Sequence, residues 1–255
     1  MTSIHAFILG IVEGLTEFLP VSSTGHLVLT QELLGITQSN YLATFDIAIQ
    51  VGAILAVIIM FWSRLWSLDL IKKLFVAFIP TGLVGYFIFS HIQTLLGSPL
   101  LVISTLFLGG IVIILTENWY QVQIKEIGVR SHIGYKEAFL LGVCQSLAII
   151  PGVSRSGAMI VGGMYMKLER KALTEFTFLL AVPTMCAATL YSIYKHPEVV
   201  TQATNIVPLL VGMGTAFVVA LFVIKIFLDY IKTRSFAIFG YYRILLALVA
   251  LFILV

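Results

Sequence analysis

Apolar residues run along this chain in long stretches, and their lengths sort into two kinds. A helix needs roughly 20 predominantly apolar residues to cross a bilayer. Six stretches meet that need: Ala43 to Trp62, Leu70 to Phe89, Pro99 to Thr116, Leu173 to Tyr194, Ile206 to Phe227 and Ala237 to Val255. Two other apolar regions are broken. Residues 5–34 are interrupted by Pro20 and Gly25, and residues 135–166 by Pro151, Gly152 and Gly157. Each reads as a half-helix, a polar turn and a second half-helix. That pattern predicts a re-entrant hairpin, which enters and leaves the membrane by one face and buries its irregular tip in protein.

The basic residues order these elements. Cytoplasmic loops of membrane proteins collect Lys and Arg. Arg64, Lys72 and Lys73 follow the first span, the loop from His91 to Ser98 has neither residue type, and Lys125, Arg130 and Lys136 follow the third span. Lys167, Arg170 and Lys171 come after the second broken region. Lys195 stands alone in the next connection, and Lys225, Lys232 and Arg234 mark the last one. The alternation holds only if neither hairpin crosses. It predicts a first hairpin entering from outside, a second entering from the cytoplasm, and both chain ends outside.

Composition agrees with a lipid-embedded chain. Of 255 residues, 60% are hydrophobic and 11% charged, against about 25% charged in soluble domains. The net charge of +3 is small, and no nucleic-acid partner is expected. Cys144 and Cys186 lie in apolar surroundings and form no disulfide framework. The opening MTSIHAFILGIVEG lacks the features of a cleaved signal and is expected to belong to the mature chain.

The two broken regions resemble each other. Gly10, Glu13, Val21, Ser22, Thr24 and Gly25 recur 132 residues later as Gly142, Gln145, Val153, Ser154, Ser156 and Gly157. Each hairpin precedes three spans, an odd number, so the second unit must be inverted relative to the first. The expected fold is therefore all-α and integral to the membrane, with six transmembrane helices and two re-entrant helical hairpins in an inverted-topology repeat. The repeats cover residues 1–117 and 135–255 of a single membrane domain. Such repeats place a binding site near the midplane, where half-helix ends meet.

Charged residues inside a bilayer are costly and point to function. Glu13 and Glu17 share one helical face at a spacing of four. Two carboxylates so close call for a cation, and Mg²⁺ or Ca²⁺ shared with a phosphate fits them. Ser22 and Ser23 open one half-helix, and Ser154 and Ser156 open the other. These serines suit both capping and anion binding at helix N-termini. Arg155 offers a planar fork for phosphate. His26 stands about one turn after Ser23 and could act as base, acid or nucleophile. Asp46 and Gln50 lie on one face of the first span near its outer end, suited to lining an entrance, orienting Glu17 or making an interhelical hydrogen bond. Together these groups form a phosphoryl-transfer set, and their depth points to a lipid phosphate or diphosphate.

EGLTEFLPVSSTGH (residues 13–26) and PGVSRSGA (residues 151–158) resemble the two signatures of the undecaprenyl-diphosphate phosphatase family, also known for bacitracin resistance. The likeness continues through TFDIAIQVGAILAVIIMFW, TEFTFLLAVP and TAFVVALFVIKIFL and covers nearly the whole chain. It implies a multi-pass enzyme of the bacterial cytoplasmic membrane, dependent on a divalent cation, with its site on the outer side and a homodimeric assembly. Such enzymes hydrolyse undecaprenyl diphosphate to undecaprenyl phosphate and inorganic phosphate, which recycles the carrier lipid for peptidoglycan and confers bacitracin resistance. By motif, the resemblance makes Glu13 and Glu17 the acidic pair and metal ligands, with Ser23, His26 and Arg155 catalytic. Ser22, Thr24, Ser154, Ser156, Gly157 and Gln50 are the expected substrate-binding residues. The chain departs from the pattern at Met159, where some members have Thr, which removes a hydroxyl contact to phosphate. Its connection before Tyr135 is also shorter than in some members. Two routes stay open: attack by Ser23 with His26 as base, or attack by a water activated by His26 or Glu17. The competing function is a transporter or flippase for polyprenyl phosphates, because the same residues would bind an anion without cleaving it.

Overall fold

The computed structural model describes residues 1–37, 39–96, 98–197 and 203–254, and they are overwhelmingly helical. Among the described residues the ten α-helices are α1 (Ser3–Thr16), α2 (Ser23–Leu33), α3 (Asn40–Met60), α4 (Leu68–Leu96), α5 (Pro99–Ile127), α6 (Tyr135–Ser146), α7 (Arg155–Tyr165), α8 (Arg170–Lys195), α9 (Ala203–Tyr230) and α10 (Ala237–Leu254). Five of them, α3, α4, α5, α8 and α9, are long and apolar enough to cross a membrane. The 18 residues of α10 reach about 27 Å at ~1.5 Å per residue, close to the ~30 Å hydrocarbon core. Val255, the expected end of that span, lies outside the described residues. Large apolar side chains face outward along these helices, among them Phe75, Phe87, Leu108, Phe222 and Phe252. In water such a surface would aggregate, whereas in lipid it is the ordinary exterior. The chain is an all-α integral membrane protein.

The two broken regions fold as helix–turn–helix pairs. With 14, 11, 12 and 11 residues, α1, α2, α6 and α7 extend about 16–21 Å and cannot cross alone. α1 packs on α2 and α6 on α7. Residues 17–22 break the first pair, and a short 3₁₀ turn (Leu147–Ile149) followed by residues 150–154 breaks the second. Three long helices follow each pair. Several of their contacts also match when the first five helices are exchanged for the last five. α1 lies on α9 as α6 lies on α4, α3 meets α9 as α8 meets α4, and the α3–α8 and α5–α10 contacts map onto themselves. Gly10 and Gly142 show why this is possible. A Cβ at Gly10 would sit 2.6 Å from the Gly212 carbonyl oxygen on α9, and one at Gly142 would overlap the Ala77 carbonyl on α4. Small residues at matched positions let each hairpin press its first arm against a long helix of the other half.

Two helices outrun the apolar stretches. α4 continues through residues 91–96, expected as part of a loop, and Gly97 of that loop lies outside the described residues. α5 runs past Thr116 to Ile127. Hydropathy measures where lipid contact ends, while backbone hydrogen bonding carries a helix further. Glu117, just past the apolar stretch, is buried in α5. It is held by an ion pair with Arg170, and its other oxygen accepts from the Phe236 N–H at 3.2 Å. The largest core cluster runs beneath both hairpins through Phe18, Ala53, Leu74, Phe178 and Phe227. Met159 belongs to this core as a fully buried apolar side chain. Phe18, in the first break, packs edge-on against Phe178 of α8 at 5.0 Å between ring centres, which seats the first tip against the second half.

Candidate active site

The two hairpin tips meet, and their side chains form one connected set. Ser22 caps α2, its Oγ accepting from the Gly25 N–H at 3.2 Å, and Ser154 caps α7 by accepting from the Gly157 N–H at 3.0 Å. Both half-helices therefore begin at the junction with their N-terminal ends facing it. Ser22 holds φ at 72°, an uncommon value for a residue with a side chain. Gly152, in the second tip, takes φ 85°. Such backbone persists only where its surroundings hold it. Ser156 Oγ donates to the Leu19 carbonyl at 2.8 Å and so ties one tip to the other.

Glu17 is the hub. Its Oε2 accepts a 2.5 Å hydrogen bond from Ser23 Oγ, and its Oε1 accepts from Arg155 Nη2 at 3.0 Å. Arg155 Nη1 donates to the Thr177 carbonyl at 3.2 Å, while its Nε–H is buried with no partner. One carboxylate thus joins the hydroxyl of the first hairpin to the guanidinium of the second. Glu13, one turn earlier, is fully buried, and neither of its oxygens has a hydrogen-bond partner.

The expected placement of His26 differs. Its Nδ1 lies 2.8 Å from the Ser22 carbonyl and its Nε2 2.8 Å from the Tyr242 hydroxyl, with the two rings stacked 5.6 Å apart. A carbonyl only accepts, so Nδ1 carries the proton, and Nε2 of the neutral ring takes the Tyr242 hydrogen. The structure brings Ser23 to Glu17 and turns His26 toward α10. Positions 23 and 26 are about 60° apart around a helix with ~3.6 residues per turn, enough to give the two side chains different neighbours. Gln50 lines the cavity described next, whereas Asp46 accepts from Gln31 Nε2 at 2.8 Å and takes the interhelical role.

A cavity of about 390 Å³ opens beside the set. Its polar end carries Glu17, Ser22, Ser23, Thr24, Ser154 and Arg155. From there it runs between α4 and α8 along Phe78, Met185 and Ala188 to Tyr86 and Tyr191. Ser156 and Gly157 support the tips from behind this wall. A charged pocket continuing into an apolar groove can hold a polar head and a hydrocarbon tail together.

Tyr242 and Arg243 in α10 join the site without having been expected from the sequence. Arg243 is buried to 2% exposure and donates to four backbone carbonyls. Its position inside the apolar run AIFGYYRILLALVALF was a detectable signal, by the same rule that singled out Arg155.

Fold and site together define a polytopic helical membrane protein in which two broken helices bring a buried charged cluster to the end of an apolar groove. The chain belongs to the Bacitracin resistance protein BacA family, whose pattern it matches over residues 6–249. Similar proteins carry the name Undecaprenyl-diphosphatase. The Campylobacter jejuni protein (strain 81-176) is 48% identical over 250 residues, covering 98% of this chain and 93% of that protein. The one from Wolinella succinogenes is 49% identical over 255 residues, covering 100% and 99%. The one from Aquifex aeolicus is 46% identical over 252 residues, covering 98% and 97%.

Proposed function

We propose that this chain hydrolyses undecaprenyl diphosphate to undecaprenyl phosphate and inorganic phosphate, with Ser23 as nucleophile and Glu17 as its base. The observation that carries the mechanism is the 2.5 Å bond from Ser23 Oγ to Glu17 Oε2 at the polar end of an apolar groove. The prenyl chain occupies the groove and the diphosphate faces the tips. Arg155 holds the terminal phosphate with its unpartnered Nε–H and the N–H groups that its fork does not spend on Glu17 and Thr177, aided by the N–H groups that open α2 and α7. Ser23 Oγ attacks the terminal phosphorus and gives its proton to Glu17. The bond to the bridging oxygen breaks, and undecaprenyl phosphate leaves with the electron pair and takes the proton from Glu17, which becomes a carboxylate again. Water then attacks the phosphoserine, its proton passes through Glu17, and Ser23 is restored as inorganic phosphate departs. His26, held by Ser22 and Tyr242, orients the Ser22 end of α2.

A divalent cation fits the donors present. The bare, buried oxygens of Glu13 beside Glu17 are hard ligands without a donor. Among the described residues no group of three or more His, Cys, Asp or Glu side chains could cage an ion alone. Substrate oxygens and water would therefore complete the shell, as Mg²⁺ or Ca²⁺ allows. Glu13 and Glu17 would hold such a cation, which would neutralise charge on the diphosphate.

The proposed enzyme sits in the bacterial cytoplasmic membrane with its site facing outward. Lys72, Lys73, Arg170 and Lys171 lie at the N-terminal ends of α4 and α8, and the groove runs toward the opposite ends at Tyr86 and Tyr191. The positive-inside rule then directs its mouth outward. Carrier-lipid recycling for peptidoglycan, bacitracin resistance and a homodimeric state belong to the same proposal. The test is phosphate release by purified protein given a long-chain isoprenyl diphosphate, with Mg²⁺ and with EDTA. Release that needs the cation and disappears in Arg155→Ala supports it. A well-folded protein that binds the lipid without releasing phosphate would overturn it in favour of transport.

A further inference from the structure

We propose that Arg243 is a positioning residue for phosphoryl transfer. A single guanidinium from α10 pins the tips of both hairpins, so that Ser23 and Glu17 on one meet Arg155 on the other. The inference deepens the phosphatase reading and rests on it for its kinetic arm.

The geometry is specific. Arg243 Nη2 donates to the Gly152 carbonyl at 2.9 Å and to the Thr105 carbonyl at 3.1 Å. Its Nη1 reaches the Pro20 carbonyl at 3.4 Å, and its Nε the Leu106 carbonyl at 3.3 Å. Pro20 belongs to the first tip, Gly152 to the second, and Thr105 and Leu106 to α5. Breaking a helix at membrane depth frees carbonyls that find no water there. Four acceptors on three separate segments need a group with several divergent donors. A neutral amide has two N–H groups and an ammonium three, whereas guanidinium has five in a fixed plane.

Two further observations set this cation apart from an ordinary buried one. No ion pair involves Arg243 among the described residues, whereas Arg155 and Arg170 each face a glutamate. The surroundings are also cut to fit it, since a Cβ at Gly109 would collide with the guanidinium. On the site side, Nη1 lies 3.5 Å from where a Cβ on Gly157 would stand, one turn into the helix that Arg155 opens. Moving the guanidinium therefore moves the backbone on either side of the Glu17–Arg155 contact. Misplacing reacting groups by about 1 Å can cost roughly 100-fold in rate.

The test is a double-mutant cycle on purified full-length protein. Arg243→Lys keeps the charge but loses the fork, and kcat should fall about 10- to 100-fold with KM changed less than about threefold. Arg155→Lys should be costly in the wild-type background and nearly silent beside Arg243→Lys, because the contact it weakens is already displaced. Additive effects, or wild-type kcat in Arg243→Lys, would overturn the proposal. Should that variant fail to fold, Gly109→Ala keeps the arginine and displaces it with one methyl, and it must show the same coupling to Arg155→Lys. A wild-type protein without turnover would defeat the phosphatase reading instead. The same cycle, read as affinity for inorganic phosphate, would then still decide whether Arg243 acts through Arg155.

Discussion

Replacing Glu17 by Gln keeps the size of the side chain and removes one charge. Its two oxygens hold Ser23 at 2.5 Å and Arg155 at 3.0 Å, and the residue is 5% exposed. A unit charge pair at that separation attracts by about 5 kcal/mol at an effective dielectric of ~20. Desolvation offsets much of this in the intact pair, but removing one partner leaves the other charged and buried, at a cost of about 3–5 kcal/mol. The amide must also turn its NH₂ either to Arg155, donor against donor, or to Ser23, where no base is left. Glu17→Gln should therefore unfold several degrees lower in detergent and lose about 10²–10⁴-fold in kcat, the usual contribution of a positioned base. The assay pairs thermal unfolding with phosphate release at saturating substrate, and excess Mg²⁺ should rescue neither. A Glu17→Gln protein with wild-type melting and turnover within tenfold would refute both the energetic and the catalytic role.

Three further substitutions probe separate parts of the argument. Ser23→Ala should fold normally yet lose at least about 1,000-fold in turnover, as for other deleted nucleophiles, and should yield no phosphoenzyme from a terminally labelled substrate; a loss under tenfold would indicate direct attack by water. Tyr242→Phe removes one hydrogen bond to His26 Nε2, so kcat/KM should drop about two- to tenfold, in line with ~0.5–1.5 kcal/mol, and an unchanged value would show that His26 needs no such support. Gly142→Ala pushes a methyl group into the Ala77 carbonyl; it should cost about 1–3 kcal/mol, seen as a lower melting temperature with turnover retained below it.

Local pattern was enough to predict the apolar helices, the two breaks and the serine caps, because each depends on neighbouring residues. Apolar length sets where a helix can sit in lipid. Pro20, Pro151 and Gly152 interrupt the helical ladder, and a serine before a helix satisfies its own end. The signatures around Glu17, Ser23 and Arg155 likewise stand in short stretches that can be read in order. Helix ends at Leu96 and Ile127 were not legible, since Glu117 is tolerated in α5 only through Arg170 and the Phe236 N–H from distant segments. The same limit separates His26 from Ser23, and it hides Arg243 from both tips. Chemistry carried by one stretch of chain is written in the sequence. The choice of partner for a buried donor or acceptor is made across 138 residues for Glu17 and Arg155, and across 223 for Pro20 and Arg243. Only the packed helices bring those groups within hydrogen-bond reach, and in lipid no water can stand in for the partner.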